Sequence, residues 1–361
     1  MRIFHLNNLS SGCHHRFNTL NPRIESYAEG IERFLEFGHE IVHILKPGIN
    51  RDPSFFISLG NCDSLQKLWA TEHGRSTRTP SIELILNQIE HHGADIVYSF
   101  DPTRYGNAFV KRLPGCVKKT IAWYAGPKPP ADLGVYDLVV NNFPKLRDSY
   151  KRLGCRVAAM FPAPPESLYG FATNQSRPID VLFSGSYGRH HTRRAQILKE
   201  IIRTLSGRFN VQFYLETSRF SKYFDNLLYR SIGLFQNHVV PREFAQHTRP
   251  AVYGQEMYHV MARSKVVVNV AGEVAGNERG NMRCFEAMSC GALMVSDAGA
   301  YPEGMVAGVT HLEYASADEA VNIIRNLLVD FKATGIASAA LKLMADRFNK
   351  DQQWAAFKAL L

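Results

Sequence analysis

Cysteine pairs at metal-ligand or redox spacing are missing from this sequence. Its six cysteines, at positions 13, 62, 116, 155, 284 and 290, form no CxxC and no Cys/His ligand pattern. They read as reduced thiols, so neither a metal cage nor a disulfide scaffold is expected. Long apolar runs are missing too. Nothing approaches the ~18 residues of a membrane helix, and the apolar start at Ile3 reaches Asn7 and Asn8 too early for a secretory signal. The expected location is cytoplasmic. No low-complexity tract occurs, no repeat of roughly 20–50 residues, and no basic tail. Lys and Arg outnumber Asp and Glu by 42 to 33, a net charge of +9, yet the excess is spread over both halves of the chain. That charge asks for an anionic partner: a nucleotide, a phosphorylated lipid head group, a membrane surface, which would add peripheral contact at the inner membrane face, or nucleic acid.

What is present is an ordinary globular composition, with 45% hydrophobic and 21% charged residues, which excludes a disordered or fibrous chain. At 361 residues the chain exceeds what one core usually serves, so two domains are expected. Strand and helix signals alternate throughout. In the first half the periodicity predicts strands over 3–6, 40–45, 95–100, 120–124 and 137–141, and helices over 24–37, 82–92 and 145–153. Prolines 162, 164, 165 and 178 mark a stretch suited to a linker. Beyond it the rhythm restarts, with strands over 180–184, 211–214, 266–270 and 292–296 and helices over 193–205, 258–263 and 282–288. Helical patterns then run to the end of the chain. The reading is α/β, two Rossmann-like doubly wound domains facing across a cleft, with domains over 1–163 and 164–340 and a C-terminal helix, 341–361, packing back on the first.

Two stretches carry chemistry. From Phe183 the chain reads Gly185, Ser186, Tyr187, Gly188, Arg189, His190, His191, Thr192, Arg193, Arg194, a strand giving way to a helix. Backbone amides and the positive helix end there suit an anion, with Arg189, Arg193 and Arg194 adding charge. The pattern is neither a Walker A loop nor a dinucleotide fingerprint, and a βα turn with a solvated basic first turn is the plainer alternative. The second stretch runs from Asn277 to Ala292. Asn281 suits an N-cap and Gly291 a C′ position, leaving a short helix led by a loop with Gly280. If the whole span were helical, Glu278 and Glu286 would be separated by about 12 Å of rise. With Glu278 in the loop, the two carboxylates can instead contact opposite ends of an extended ligand. A carboxylate accepts two hydroxyl protons, so Glu286 suits a ribose diol, Glu278 sugar hydroxyls, and Arg283 the diphosphate between them. Asn281 and Met282 would lie at the helix N-terminus against the same ligand. The alternative is that Phe285 and Met288 are core and Arg283 pairs with a nearby carboxylate.

Glu278 and Glu286 fit the E-x7-E signature of GT-B glycosyltransferases, and the run from Phe285 to Ser296 resembles the segment that follows it there. Asn281-x-Arg283-x-x-Glu286 is most similar to the spore-maturation-type branch of that group. The resemblance is specific over about 255–300, fair over 180–195, and architectural elsewhere. It implies a GT-B fold, a second domain binding a nucleoside diphosphate sugar, a first domain binding the acceptor, and no metal or other cofactor. Carried over, it implies ribose on Glu286, diphosphate on Arg283 and an arginine of the 189–194 stretch, and donor sugar on Glu278. The donor would be UDP- or GDP-linked and the acceptor a hydroxyl group of a glycan, lipid-linked saccharide, protein or small molecule.

A weaker resemblance to phage DNA β-glucosyltransferases rests on Gly185-Ser186-Tyr187, Arg283-x-x-Glu286 and a last helix with Trp354 and Phe357. The catalytic Asp of those enzymes has no counterpart around Trp123 to Pro127, so DNA modification is the alternative, beside a non-catalytic nucleotide- or nucleic-acid-binding protein. A nucleotide-sugar epimerase of the same fold is a third reading. In the first domain, His14, His15 and Arg16 lie in the expected loop after strand one and suit acceptor contact, and His15 suits a general base. Asp101, directly after a strand, is either a second candidate base or an ordinary Asp-Pro turn opener.

Overall fold

The computed structural model describes residues 1–126, 129–187, 192–217, 242–272, 276–331 and 335–361. The chain divides into two units, Met1–Pro165 with Phe348–Leu361, and Glu166–Arg347. In the first, β1 (Ile3–Asn7) is buried along its whole length. A strand with no exposed face needs helices on both sides of its sheet. It pairs in parallel with β2 (Phe55–Leu59) and β3 (Ile96–Ser99), and β4 (Lys119–Trp123), β5 (Leu138–Asn141) and β6 (Val157–Ala159) follow in the order β2-β1-β3-β4-β5-β6. Helix Tyr27–Phe37 begins where the Ser26 side chain accepts from the Glu29 amide, and it ends at Gly38 with φ 71°, a left-handed position that favours glycine.

Two expectations fail in this unit, each for a physical reason. Residues 40–45 form no strand. Ile41, Val42, Ile44 and Leu45 are buried, but the carbonyls of Ile41, Val42 and Ile44 accept hydrogen bonds from the Lys350 ammonium, and Gln353 also donates to Val42. An apolar run can be buried outside a sheet when side chains satisfy its backbone. The second strand is instead Phe55–Leu59, in register with Ile3–Asn7. Likewise, the expected loop after β1 is helix Ser11–Leu20, with the Ser10 hydroxyl accepting from the Cys13 amide.

The second unit repeats the plan with β7 (Ile179–Tyr187), β8 (Val211–Thr217), β9 (Thr248–Pro250), β10 (Ser264–Asn269), β11 (Leu293–Asp297) and β12 (Leu312–Tyr314), all parallel, in the order β12-β11-β10-β7-β8-β9. Its core joins Val181, Phe183, Val266, Val268 and Val295 to Ile197, Ile201 and Ile324 of the flanking helices. The proline-rich stretch is not all linker: after Pro164 and Pro165 the chain turns into helix Glu166–Tyr169 and a 3-10 turn, Gly170–Thr173. Prolines ahead of a helix start do not break it. The tail region 341–361 spans parts of two helices. Gly335–Arg347 belongs to the second unit, whereas Lys350–Ala359 belongs to the first, where Phe357 packs 5.2 Å from Tyr98.

Candidate functional site

Ligands of doubly wound sheets sit beyond the carboxyl ends of the strands, where the strand order reverses. In the second sheet that point lies between β7 and β10. Helix Met282–Ser289 follows from the loop after β10. Gly280 leads into it with φ 125°, a backbone conformation that favours glycine. Asn281 takes the N-cap position but makes no side-chain cap bond. Its amide pairs reciprocally with that of Asn269 at the end of β10, both bonds 3.0 Å, so the Asn281 side chain does not cap the helix, while its carbonyl accepts from the Cys284 amide at 2.9 Å.

One turn into this helix, Glu286 is fully buried. Its Oε2 accepts from Arg283 Nη1 at 2.9 Å and its Oε1 from the Tyr258 hydroxyl at 3.2 Å. Burial, with the Glu286 charge added, pushes the Tyr258 phenol well above its ordinary range, so Tyr258 stays a donor. Arg283 lies against Met257 and keeps 15% of its side chain exposed. A buried carboxylate survives only when paired and hydrogen-bonded, and Glu286 has both partners.

Glu278 is buried as well, at 4% exposure. Its loop is strapped to the segment after β11 by a bridge to Ala300, with the Arg279 amide donating to Ala300 and the Ala300 amide to Asn277, both at 2.8 Å. The Arg279 guanidinium closes the loop on the carbonyls of Gly276, Glu278 and Ala298. Gly299 permits this approach, because a Cβ there would meet the Asn277 carbonyl at 2.5 Å.

Gly185 and Ser186 lie in the strand itself, and the turn that follows them falls outside the described residues. β7 runs on to Tyr187, with Gly185 and Ser186 paired to Leu215 and Glu216 of β8, because the alternation of buried Phe183 and Tyr187 keeps the strand extended past the glycine. Arg189, His190 and His191 lie outside the described residues. Arg193 and Arg194 stand in the first turn of helix Thr192–Leu205. Arg194 donates to the Ser186 carbonyl at 2.6 Å and the Val270 carbonyl at 3.0 Å, and stacks over Phe183. Arg193 lies 2.6 Å from Asp297. These arginines are therefore not the loose charges the sequence suggests.

In the first unit, His14, His15 and Arg16 are helical rather than in a loop, and Asn18 bonds His14 at 3.3 Å. Asp101 accepts from Asn8 at 2.7 Å, from the Arg104 amide at 3.1 Å and from the Thr103 hydroxyl. It organises the turn after β3.

Sequence reasoning missed Asn269, Tyr258, Arg279 and Asp297. Asn269 and Asp297 each close an apolar strand run with a polar residue, Val-Val-Val-Asn and Met-Val-Ser-Asp, the signal that marks the ligand end of a parallel sheet. Among the described residues, no group of three or more His, Cys, Asp or Glu side chains is placed to hold a metal ion, and no helix is long and apolar enough to cross a membrane.

Residues 188–359 match the profile of the family described as Glycosyl transferase-like. No curated protein sequence matches the chain. Among solved structures it is similar to Anabaena HepE in complex with UDP-glucose, with 15% identity and a TM-score of 0.61 over 100% of this chain and 99% of that one. It is also similar to a glycosyltransferase from Rickettsia africae, with 11% identity and a TM-score of 0.54 over 99% and 97% of the two chains. Sucrose-phosphate synthase from Thermosynechococcus elongatus is a third, with 12% identity and a TM-score of 0.52 over 100% and 98%. Such identities establish architecture. The chain is built as two doubly wound units of the GT-B fold, and its residues 188–359 match a glycosyl transferase-like domain.

Proposed function

We propose that this chain is a glycosyltransferase that moves a hexose-type sugar from a nucleoside diphosphate sugar, UDP- or GDP-linked, to a hydroxyl-bearing acceptor, without a bound metal. The observation that carries the reading is the Arg283–Glu286–Tyr258 group. It is a buried carboxylate held by a guanidinium and a phenol, in a helix whose N-cap side chain is turned away onto Asn269. Glu286 takes the ribose diol, since a carboxylate accepts two hydroxyl protons. Arg283, Asn281 and the amide end at Met282 take the diphosphate, and Glu278 takes the donor sugar. Arg283 then stabilises the charge that develops on the departing diphosphate, as fixed cations and helix ends do in place of a metal. Within β7, Gly185 lacks a side chain beside the site and Ser186 holds Arg194 through its carbonyl and hydroxyl. HepE, a structural neighbour, is solved with UDP-glucose, which supports a uridine nucleotide as the first donor to try.

Within the glycosyltransferases, Asn281-x-Arg283-x-x-Glu286 supports a place in the spore-maturation-type branch. The first unit carries the acceptor. There His15, flanked by His14 and Arg16, is the better candidate base, because the Asp101 carboxylate is committed to its own turn.

Calorimetric titration of UDP and GDP into the wild type and Glu286→Gln tests the reading. The substitution keeps the shape and removes the charge, so nucleotide affinity should fall about tenfold or more. Equal affinity in the two proteins would remove Glu286 from the donor site.

A further inference from the structure

Asp297 ends β11 with no exposed surface. A carboxylate in that position is costly unless hydrogen-bonded and paired, and Asp297 is both. The Ala271 amide, just past β10, donates to Oδ2 at 2.6 Å, and Arg193 Nη2 lies 2.6 Å from Oδ1. Burial pushes the carboxyl above the ordinary carboxylate range, while the Ala271 amide, Arg193, Arg279 and Arg194 pull it back.

The neighbouring arginine shows what this contact adds. Arg194 reaches backbone carbonyls on β7 and just past β10, so it laces the strand ends together. Arg193 also reaches across to its partner, yet 39% of its side chain is exposed, against none of Asp297. Its Nη2 thus lies against a buried carboxylate oxygen and reaches the Ala315 carbonyl at 3.5 Å, while more than a third of the side chain stays exposed. A cation in the first turn of a helix opposes the helix dipole, and Asp297 offsets that cost. The guanidinium fork is planar and presents donors on more than one edge, so fixing one edge aims the other.

We propose that Asp297 is a positioning residue for the donor diphosphate: it fixes the Arg193 guanidinium so that its outward N–H groups meet a phosphate oxygen beyond the carboxyl ends of β7, β10 and β11. This rests on the donor reading above. No feature of the sequence pattern assigned a role to Asp297, and the geometry gives it one through Arg193.

The test is a double-mutant cycle read by calorimetric UDP affinity in the full-length protein, using Asp297→Asn, Arg193→Ala and both together. The asparagine side chain is of the same size as the aspartate it replaces and can still accept from the Ala271 amide. Each single substitution should weaken UDP about tenfold, the size of one charge-assisted hydrogen bond, and the double should be no weaker than Arg193→Ala. Additive losses would overturn the proposal, because Asp297 would then act through the fold rather than through Arg193. Unchanged affinity in Asp297→Asn would also overturn it. Should Asp297→Asn fail to fold, Arg193→Lys decides: it keeps the charge and loses the fork, so a several-fold loss supports the proposal and wild-type affinity overturns it. A wild type that binds neither UDP nor GDP would instead overturn the donor reading itself, and this inference with it.

Discussion

Acidification should weaken the first unit through two histidines that have no room for a proton. His5 sits in β1 with neither ring nitrogen hydrogen-bonded, among the rings of Phe55, Tyr98 and Phe100 at 5.7, 5.5 and 4.9 Å. His43 lies 4.5 Å from the Trp123 ring and 5.4 Å from Phe100. Burial, with the nearby Lys350 charge adding to it, lowers each imidazole from 6.5 to about 3. Between those values the unfolded chain binds a proton at each site and the folded chain does not, so stability rises with pH and is lost on acidification. From pH 7.5 to 5.5 the loss is about 1.4 kcal/mol per histidine, or ~3 kcal/mol together. Tryptophan fluorescence in urea reports on this unit, since Trp69, Trp123 and Trp354 all belong to it. In His5→Phe a large part of the pH-dependent loss should vanish, and in His5→Phe/His43→Phe most of it, half-buried His92 contributing to the remainder. Comparing two pH values within each variant cancels the packing effect of the new ring. An unchanged pH dependence in the double variant would refute the argument.

Two further substitutions probe the rest of the framework. Lys350→Met leaves the Ile41 and Ile44 carbonyls without their ammonium partner. Each orphaned carbonyl costs roughly 1–3 kcal/mol, offset in part by relief of the buried charge, so a net loss of ~2 kcal/mol is expected in the same urea assay, and a gain would show that desolvation dominates. Gly291→Ala forces a side chain onto φ 65° and brings its Cβ within 2.9 Å of the Ala172 methyl. We expect a loss of about 1–3 kcal/mol, measured by circular dichroism, and a wild-type melting curve would contradict it.

Much of this molecule was legible wherever local chemistry and tertiary packing agree. Helix Tyr27–Phe37 declares itself through its Ser26 cap, its apolar stripe and Gly38, and helix Met282–Ser289 through Asn281 and the buried run that follows. The errors fall where a distant residue decides. Residues 40–45 carry the apolarity of a strand, but a lysine more than 300 positions later takes their carbonyls, and no local window contains that fact. β7 outlasts its expected end because β8 pairs with it through Tyr187. The site was legible as a set of residue types rather than as contacts. Arg283 pairs with Glu286, the nearby-carboxylate pairing the sequence also allowed, whereas Arg193 proved tethered to Asp297, which sits 104 positions away.

The central claim is sugar transfer from a nucleotide donor, and the most direct measurement is release of UDP or GDP from the labelled donor sugar in the presence of a panel of hydroxyl acceptors, followed by product mass. The account predicts nucleotide release with the hexose recovered on an acceptor or on water, and loss of that release in Glu286→Gln. Donor that is bound and returned intact with every acceptor, or release undiminished in Glu286→Gln, would contradict it.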